Sequence, residues 1–242
     1  MAFLGTANVA DGLTAIRKLV FEEKRITAGE LLEALRADFE GFEPLRQMLL
    51  TRSPKYGNGV EEVDRVAAWV DERFIDLMDG FRTPLGGRYV VHLFSFRCNI
   101  EFGRATGAGP DGRKARTPIA YSLSAQQGRD RQGVTAMMQS LSRLPHARAA
   151  GATAAIVDID PKVVQGPHGA DLLAKIIRGA MDMGVGQLQF NVVTADRLRQ
   201  AQEDPERYGN LVVRVAGYSQ RFNLLTPDLQ ELVISRTKHT SG

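Results

Sequence analysis

The second half of the chain alternates between two periodicities, and this constrains the fold more than any other feature. Residues 152–159, ATAAIVDI, are an apolar run of strand length. Residues 168–182, HGADLLAKIIRGAMD, then place Leu172, Leu173, Ile176, Ile177 and Ala180 at helical spacing, all expected inside. Residues 187–193, QLQFNVV, return to period two through Leu188, Phe190 and Val192. The segment LRQAQEDPERYGN ends a helix near Pro205. A further short apolar run, Leu211 to Ala216, stops at Gly217, and Gly217-Tyr218-Ser219 reads as a loop. Strands interleaved with helices make the class α/β rather than all-helical.

The first half is mainly helical. Residues 5–21 carry Ala7, Val9, Leu13, Ile16, Leu19 and Val20 at helical spacing, with Asp11 as a candidate cap. Thr27 to Glu30, T-A-G-E, has the form of a capping box, so a helix is expected through Leu31, Leu32, Leu35 and Phe39. LRQMLL at 45–50 predicts a short helix. A longer one is predicted from Val60 to Met78, with Val63, Val66, Ala67, Val70, Phe74 and Leu77 on its inner face. Near the C-terminus, Thr226-Pro227 predicts a helix start, with Leu229, Leu232 and Val233 facing inward. The KHTSG tail is expected to fray.

Composition excludes several classes. With 242 residues the chain can bury one sizeable core or two small ones. It has no run of about 18 apolar residues and so no expected membrane span. Its first residues, MAFLGTANVADG, lack a secretory pattern, so a cytoplasmic location is expected. A single cysteine, Cys98, excludes an internal disulfide and any multi-cysteine metal site. Net charge is only +3, its basic residues are scattered among acids, and no nucleic-acid partner is expected. His92, His146, His168 and His239 show no metal-ligand spacing, and no phosphate or dinucleotide fingerprint is present.

Residues 80–124 depart from both periodicities and are rich in glycine. Their centre is FGRATGAGPDGRKARTPIAYSLS. Long irregular segments inside a domain are uncommon unless functional. This stretch resembles a second conserved region of the family whose radical motif is resembled by VRVAGYSQRF and the following LTPDLQELVISRT. That family is the glycyl radical enzymes, which include pyruvate formate-lyase and the glycyl radical dehydratases. The resemblance runs from GTANVADGLTAI through KYGNG to the end of the chain, and RVAGYS lies closer to the dehydratase-like branch.

The resemblance implies that the chain is the C-terminal part of such an enzyme. The family fold is a barrel of strands ringed by helices, with the glycine loop near the C-terminus buried inside. Two regions are expected: 1–118 as the end of the pyruvate formate-lyase-like body, and 119–242 as the glycine radical domain. Gly217 would store an unpaired electron on its α carbon, with Arg214, Tyr218 and Ser219 supporting the loop and Ala216 and Ser219 small enough to let it thread. Such a radical is stabilised by spreading into the flanking amides, which needs a planar centre that a side chain would crowd. Water and oxygen must be kept away. Arg104, Asp111 and Arg113 would be polar anchors of the glycine-rich region.

In the family the radical passes from glycine to a cysteine on an upstream loop, and the thiyl attacks substrate. Cys98 sits in LFSFRCNIEFG, which alternates like a strand and lacks the family's cysteine-loop setting. The implied function is therefore the radical-bearing part of a lyase or dehydratase that cleaves carbon–carbon or carbon–heteroatom bonds with a cysteine-bearing partner. The alternatives are a spare domain that repairs an oxygen-damaged enzyme, or an inactive remnant. No cofactor need stay bound, because a separate activating enzyme with an iron–sulfur cluster and S-adenosylmethionine would install the radical. The further partners implied are a small-molecule substrate and, through unpaired strand edges and open apolar faces, other copies of the chain.

Overall fold

Gly5, at φ +86°, turns the chain into helix α1 (Thr6–Ile16). The helix continues through a wider π turn over residues 17–22. Asp11 does not cap it: its side chain is buried mid-helix, where it accepts hydrogen bonds from the Tyr56 N–H (2.8 Å) and Arg129 Nη1 (3.0 Å). The structure, a computed structural model, describes residues 1–95, 98–215, 217–236 and 238–239.

Helix α2 (Ala28–Arg36) begins at the expected capping box, with Thr27 and Glu30 bonded reciprocally. Phe39 lies beyond its end, at φ +64°, in the turn leading to α3 (Glu43–Thr51). Helix α4 (Glu61–Asp79) is the longest element and lies against α1. Its buried face includes Val63, Ala67, Val70 and Ile75, whereas Leu77 is exposed. Short strand β1 (His92–Leu93) and helix α5 (Cys98–Ala105) interrupt the irregular stretch. Cys98 is thus the first residue of a helix and not part of a strand, because its N–H turns back onto the Ser95 carbonyl (2.9 Å).

Helix α6 (Gly133–Ser142) precedes strands β2 (Ala152–Thr153) and β3 (Ala155–Ile159). A short turn of helix, α7 (Pro161–Val164), is followed by α8 (Gly169–Asp182), strand β4 (Leu188–Val192) and α9 (Ala195–Glu203). The chain closes with β5 (Val212–Arg214), β6 (Ser219–Arg221), α10 (Pro227–Ser235) and β7 (Lys238–His239). Thr226 occupies the cap position of α10, but its side chain makes no capping bond there. The KHTSG tail was expected to fray, but its Lys238 and His239 pair with β3 as β7; residues 240–242 lie outside the described residues.

Strand β3 lies at the centre of a sheet ordered β4-β3-β7, and both pairings are parallel. Strand β1 pairs in parallel with β2, and Ala2 bridges in parallel to His92. β3 is buried at every position, as a strand covered on both faces should be. The largest core runs from Ala7 and Val63 through Leu93, Met137 and Leu141 to Val157 and Val185. A second gathers Ile100, Tyr121, Val213, Phe222 and Leu232, and a third seals α1, α2 and α3 through Leu19, Leu31 and Leu49.

Two apolar faces differ from the expected burial. On α8 only Ala180 of the apolar stripe is buried; Leu172, Leu173 and Ile176 are half-buried and Ile177 is exposed beside Met181. The stripe lies at the surface, where it forms one wall of a groove with Thr135 and Met138. On β4 the alternation is inverted relative to simple apolar burial. Gln189 and Asn191 are buried, Leu188 and Phe190 are half-buried against the main core, and Val192 is exposed.

Candidate functional site

The buried amides of β4 explain the position of the glycine. Strands β5 and β6 form an antiparallel hairpin with Arg214 opposite Ser219, so Ser219 begins a strand and does not sit in an open loop. Val215 N–H closes the tip onto the Tyr218 carbonyl at 2.9 Å. Ala216 lies outside the described residues. Gly217 has φ +80°, a left-handed conformation in which L side chains are strained. A Cβ there would stand 3.0 Å from the Phe94 ring.

Side chains from β4 attach this hairpin to the sheet. Asn191 grips the Arg214 backbone from both sides: its Oδ1 accepts from Arg214 N–H (2.6 Å) and its Nδ2 donates to the Arg214 carbonyl (3.1 Å). The same Nδ2 donates to Asp158 on β3 (2.9 Å). Gln189 Oε1 accepts from Gly217 N–H (3.0 Å) and from Arg214 Nε (3.2 Å). The Arg214 guanidinium also donates to Ser219 Oγ (3.3 Å), bracing the two strands.

The other side is held from beyond α10. Arg236 donates to the carbonyls of Arg214 (3.1 Å) and Val215 (2.9 Å), and its guanidinium lies over the Tyr121 ring at 5.2 Å. Lys238 binds the buried Asp158 carboxylate at 2.7 Å and the carbonyls of Val233 and Arg236. Burial lowers the Lys238 pKa, and Asp158 opposes that shift. Burial likewise pushes Tyr121 up to about 12, so it stays a neutral phenol at physiological pH.

Of the residues predicted for the site, Arg214 is at the centre of these contacts, and Ser219 meets it across the hairpin. Tyr218 is exposed, and its carbonyl accepts from the Val215 N–H. Gly217 itself is exposed, contrary to the expected burial: Phe94 and Gln189 line one side, and the other is open. Cys98 is a partly buried free thiol four residues after Phe94.

Asp111 and Arg113 fold the glycine-rich stretch. Asp111 is buried and accepts from Asn8 Nδ2 (2.8 Å), Arg129 (3.0 Å) and the Arg113 N–H (3.2 Å), while Arg113 reaches the carbonyls of Gly107, Lys114 and Thr117. Arg104 is instead a surface residue paired with Asp228 of α10. Gln189, Asn191 and Arg236 were missed by the sequence reading. The available signal was a pair of amide side chains on one face of a strand just upstream of the glycine segment.

Two families match successive parts of the chain. Residues 1–103 match the pyruvate formate lyase-like family and residues 119–223, which include Gly217, match the glycine radical family. Over 239 residues the chain is 39% identical to isethionate sulfite-lyase of Bilophila wadsworthia, covering 98% of this chain and 29% of that protein. It belongs to the glycyl radical enzyme family.

Solved structures place this glycyl radical enzyme chain within the family fold. The glycerol-bound B12-independent glycerol dehydratase of Clostridium butyricum superposes with a TM-score of 0.93 at 38% identity, over 98% of this chain and 30% of that one. A structure on 1,2-propanediol dehydration in Roseburia inulinivorans gives 0.94 at 40% identity, over 98% and 31%. The α/β arrangement is thus that of the glycyl radical enzyme barrel, and the chain spans about 30% of the length of its relatives. Among the described residues no helix is long and apolar enough to cross a membrane, and no group of three or more His, Cys, Asp or Glu could hold a metal ion.

Proposed function

We propose that this chain is the radical-bearing part of a lyase or dehydratase, with Gly217 as the site of the radical. The observation that carries the reading is a glycine at φ +80° on a hairpin tip, its N–H held by a buried amide, inside a segment matching the glycine radical family. Arg214 and Ser219 brace the tip, and Tyr218 stands on its open side. The division at residues 118/119 separates the body from this radical domain.

A separate activating enzyme would act first. Its iron–sulfur cluster and S-adenosylmethionine would supply the radical chemistry, and the part of this chain would be to present the Gly217 α carbon, from which one hydrogen atom would be removed. A thiol on a cysteine-bearing counterpart then gives a hydrogen atom back to Gly217 and becomes a thiyl radical. The thiyl removes a hydrogen atom from a small-molecule substrate, a carbon–carbon or carbon–heteroatom bond breaks, and the product radical recovers the hydrogen atom. The exposure of Gly217 suits access by the activator, and turnover needs the counterpart to close over it.

Anaerobic activation followed by electron paramagnetic resonance tests this. A glycine-centred doublet is expected in the parent chain and none in G217A; a doublet that survives G217A would remove the assignment. Assays with and without the counterpart then separate an enzyme subunit from a spare repair domain, which would restore activity to an oxygen-cleaved partner enzyme.

A further inference from the structure

We infer that Gln189 is a positioning residue for Gly217: its amide oxygen fixes the Gly217 N–H and so sets how the unpaired electron spreads into the preceding peptide. The inference rests on the reading of Gly217 as the radical site.

Gln189 is 5% exposed, on the inner face of β4. Its Oε1 accepts from Gly217 N–H at 3.0 Å and from Arg214 Nε at 3.2 Å. Both neighbours are donors, so the opposite amide orientation would set N–H against N–H, and the oxygen must face the glycine. The Nε2 of the same amide is buried with no hydrogen-bond partner among the described residues. A buried donor without a partner is unfavourable, and an apolar side chain would fill this position without that cost. What glutamine supplies here, and an apolar residue cannot, is the acceptor oxygen.

Asn191 makes this contact specific to the tip. It alone clamps both backbone groups of Arg214 from β4, so the strand keeps its register without Gln189. The Gln189 bond to Gly217 therefore acts on the glycine itself.

The chemistry follows from the position of the bond. A glycine α radical is stabilised by electron donation from the nitrogen on one side and withdrawal by the carbonyl on the other. A hydrogen bond given by the N–H to an oxygen acceptor makes the nitrogen a better donor and holds its plane. The abstraction itself is unchanged: one hydrogen atom leaves Gly217 for the activator's carbon radical, and no proton or electron passes to Gln189.

The test uses two variants of the full chain. Q189M keeps the length and loses the acceptor; Q189E restores an oxygen. In a ¹⁵N-glycine-labelled sample the Gly217 amide is assigned by its absence in G217A. Its hydrogen exchange should be about fivefold faster in Q189M, as loss of one ordinary hydrogen bond gives, and parent-like in Q189E. After anaerobic activation the ¹⁵N hyperfine coupling of the doublet should shift in Q189M and return in Q189E, a readout that general loosening of the fold does not restore. Far-UV circular dichroism verifies folding, and Q189L, which also lacks an acceptor, replaces Q189M with the same expectations should that variant unfold.

Parent-like exchange and coupling in a folded Q189M would overturn the inference while leaving Gly217 as the radical site, provided G217A still abolishes the doublet. No doublet in the activated parent would remove the Gly217 reading, and the positioning role with it.

Discussion

Asp71 provides a stability prediction with a definite pH dependence. It lies on the face of α4 against α1, fully buried, with Oδ1 accepting from Thr6 Oγ1 at 2.7 Å and Oδ2 without a partner among the described residues. Desolvation raises its pKa from 3.8 to about 7, against the opposing Thr6 hydrogen bond. The folded chain therefore binds more protons than the unfolded chain between those values. Stability contributed by this group is present below pH 3.8, falls as pH rises, and reaches its lowest level above about 7. A shift of roughly 3 units corresponds to about 4 kcal/mol. Asp71→Asn keeps the acceptor for Thr6 and removes the titration.

Urea unfolding of parent and D71N at pH 4 and pH 8 measures the difference. The two should match at pH 4. At pH 8 D71N should be more stable by about 4 kcal/mol, a midpoint gap of about 1.3 M for an m-value near 3 kcal/mol/M. Asp11 and Asp64, each raised to about 6 by burial, give the remaining decline in both proteins the same sign. A gap equal at the two pH values, or D71N the weaker at pH 8, would refute a raised Asp71.

Three further outcomes are expected. G217A should fold but lose about 1–2 kcal/mol from the left-handed φ, with the Phe94 contact adding to it; F94L should recover only the contact part, as a double-mutant cycle will show. Asn191→Leu leaves Arg214 N–H without its acceptor and should cost about 2–4 kcal/mol, concentrated in the hairpin, seen as faster trypsin cleavage after Arg214 with little change at α4. Arg104→Ala breaks an exposed pair with Asp228 and should change stability by less than about 1 kcal/mol, with 1 M salt abolishing the difference.

Local chemistry made part of this structure legible in sequence. The Thr27–Glu30 capping box specifies the α2 start by itself, and the long stripe from Val63 to Phe74 specifies α4. The run at 152–159 gives two strands, β2 and β3, which break at Ala154 and join different sheets, and the alternating run at 187–193 contains β4. What failed depended on distant partners. Asp11 resembles a cap because aspartate usually stays at the surface; here Arg129, 118 positions away, holds it in the interior. The glycine segment was recognisable from RVAGYS, but its anchors were not. Strand periodicity draws attention to Leu188, Phe190 and Val192, while the site uses Gln189 and Asn191 between them. Burial of Gly217 was expected, yet on this chain one side of the tip faces solvent.

Among the described residues, strand β4 lies at a margin of its sheet and pairs in parallel with β3. A parallel newcomer cannot arrive by a tight turn; it must be delivered by a crossover or by another polypeptide. Backbone pairing along that margin would carry almost no information about which strand has joined. Discrimination would then fall to the side chains on its two faces: Leu188, Phe190 and Val192 on one, and on the other Asn191 and the same Gln189 that touches Gly217. A strand seated on that margin would thus lie beside the residue that holds the Gly217 N–H.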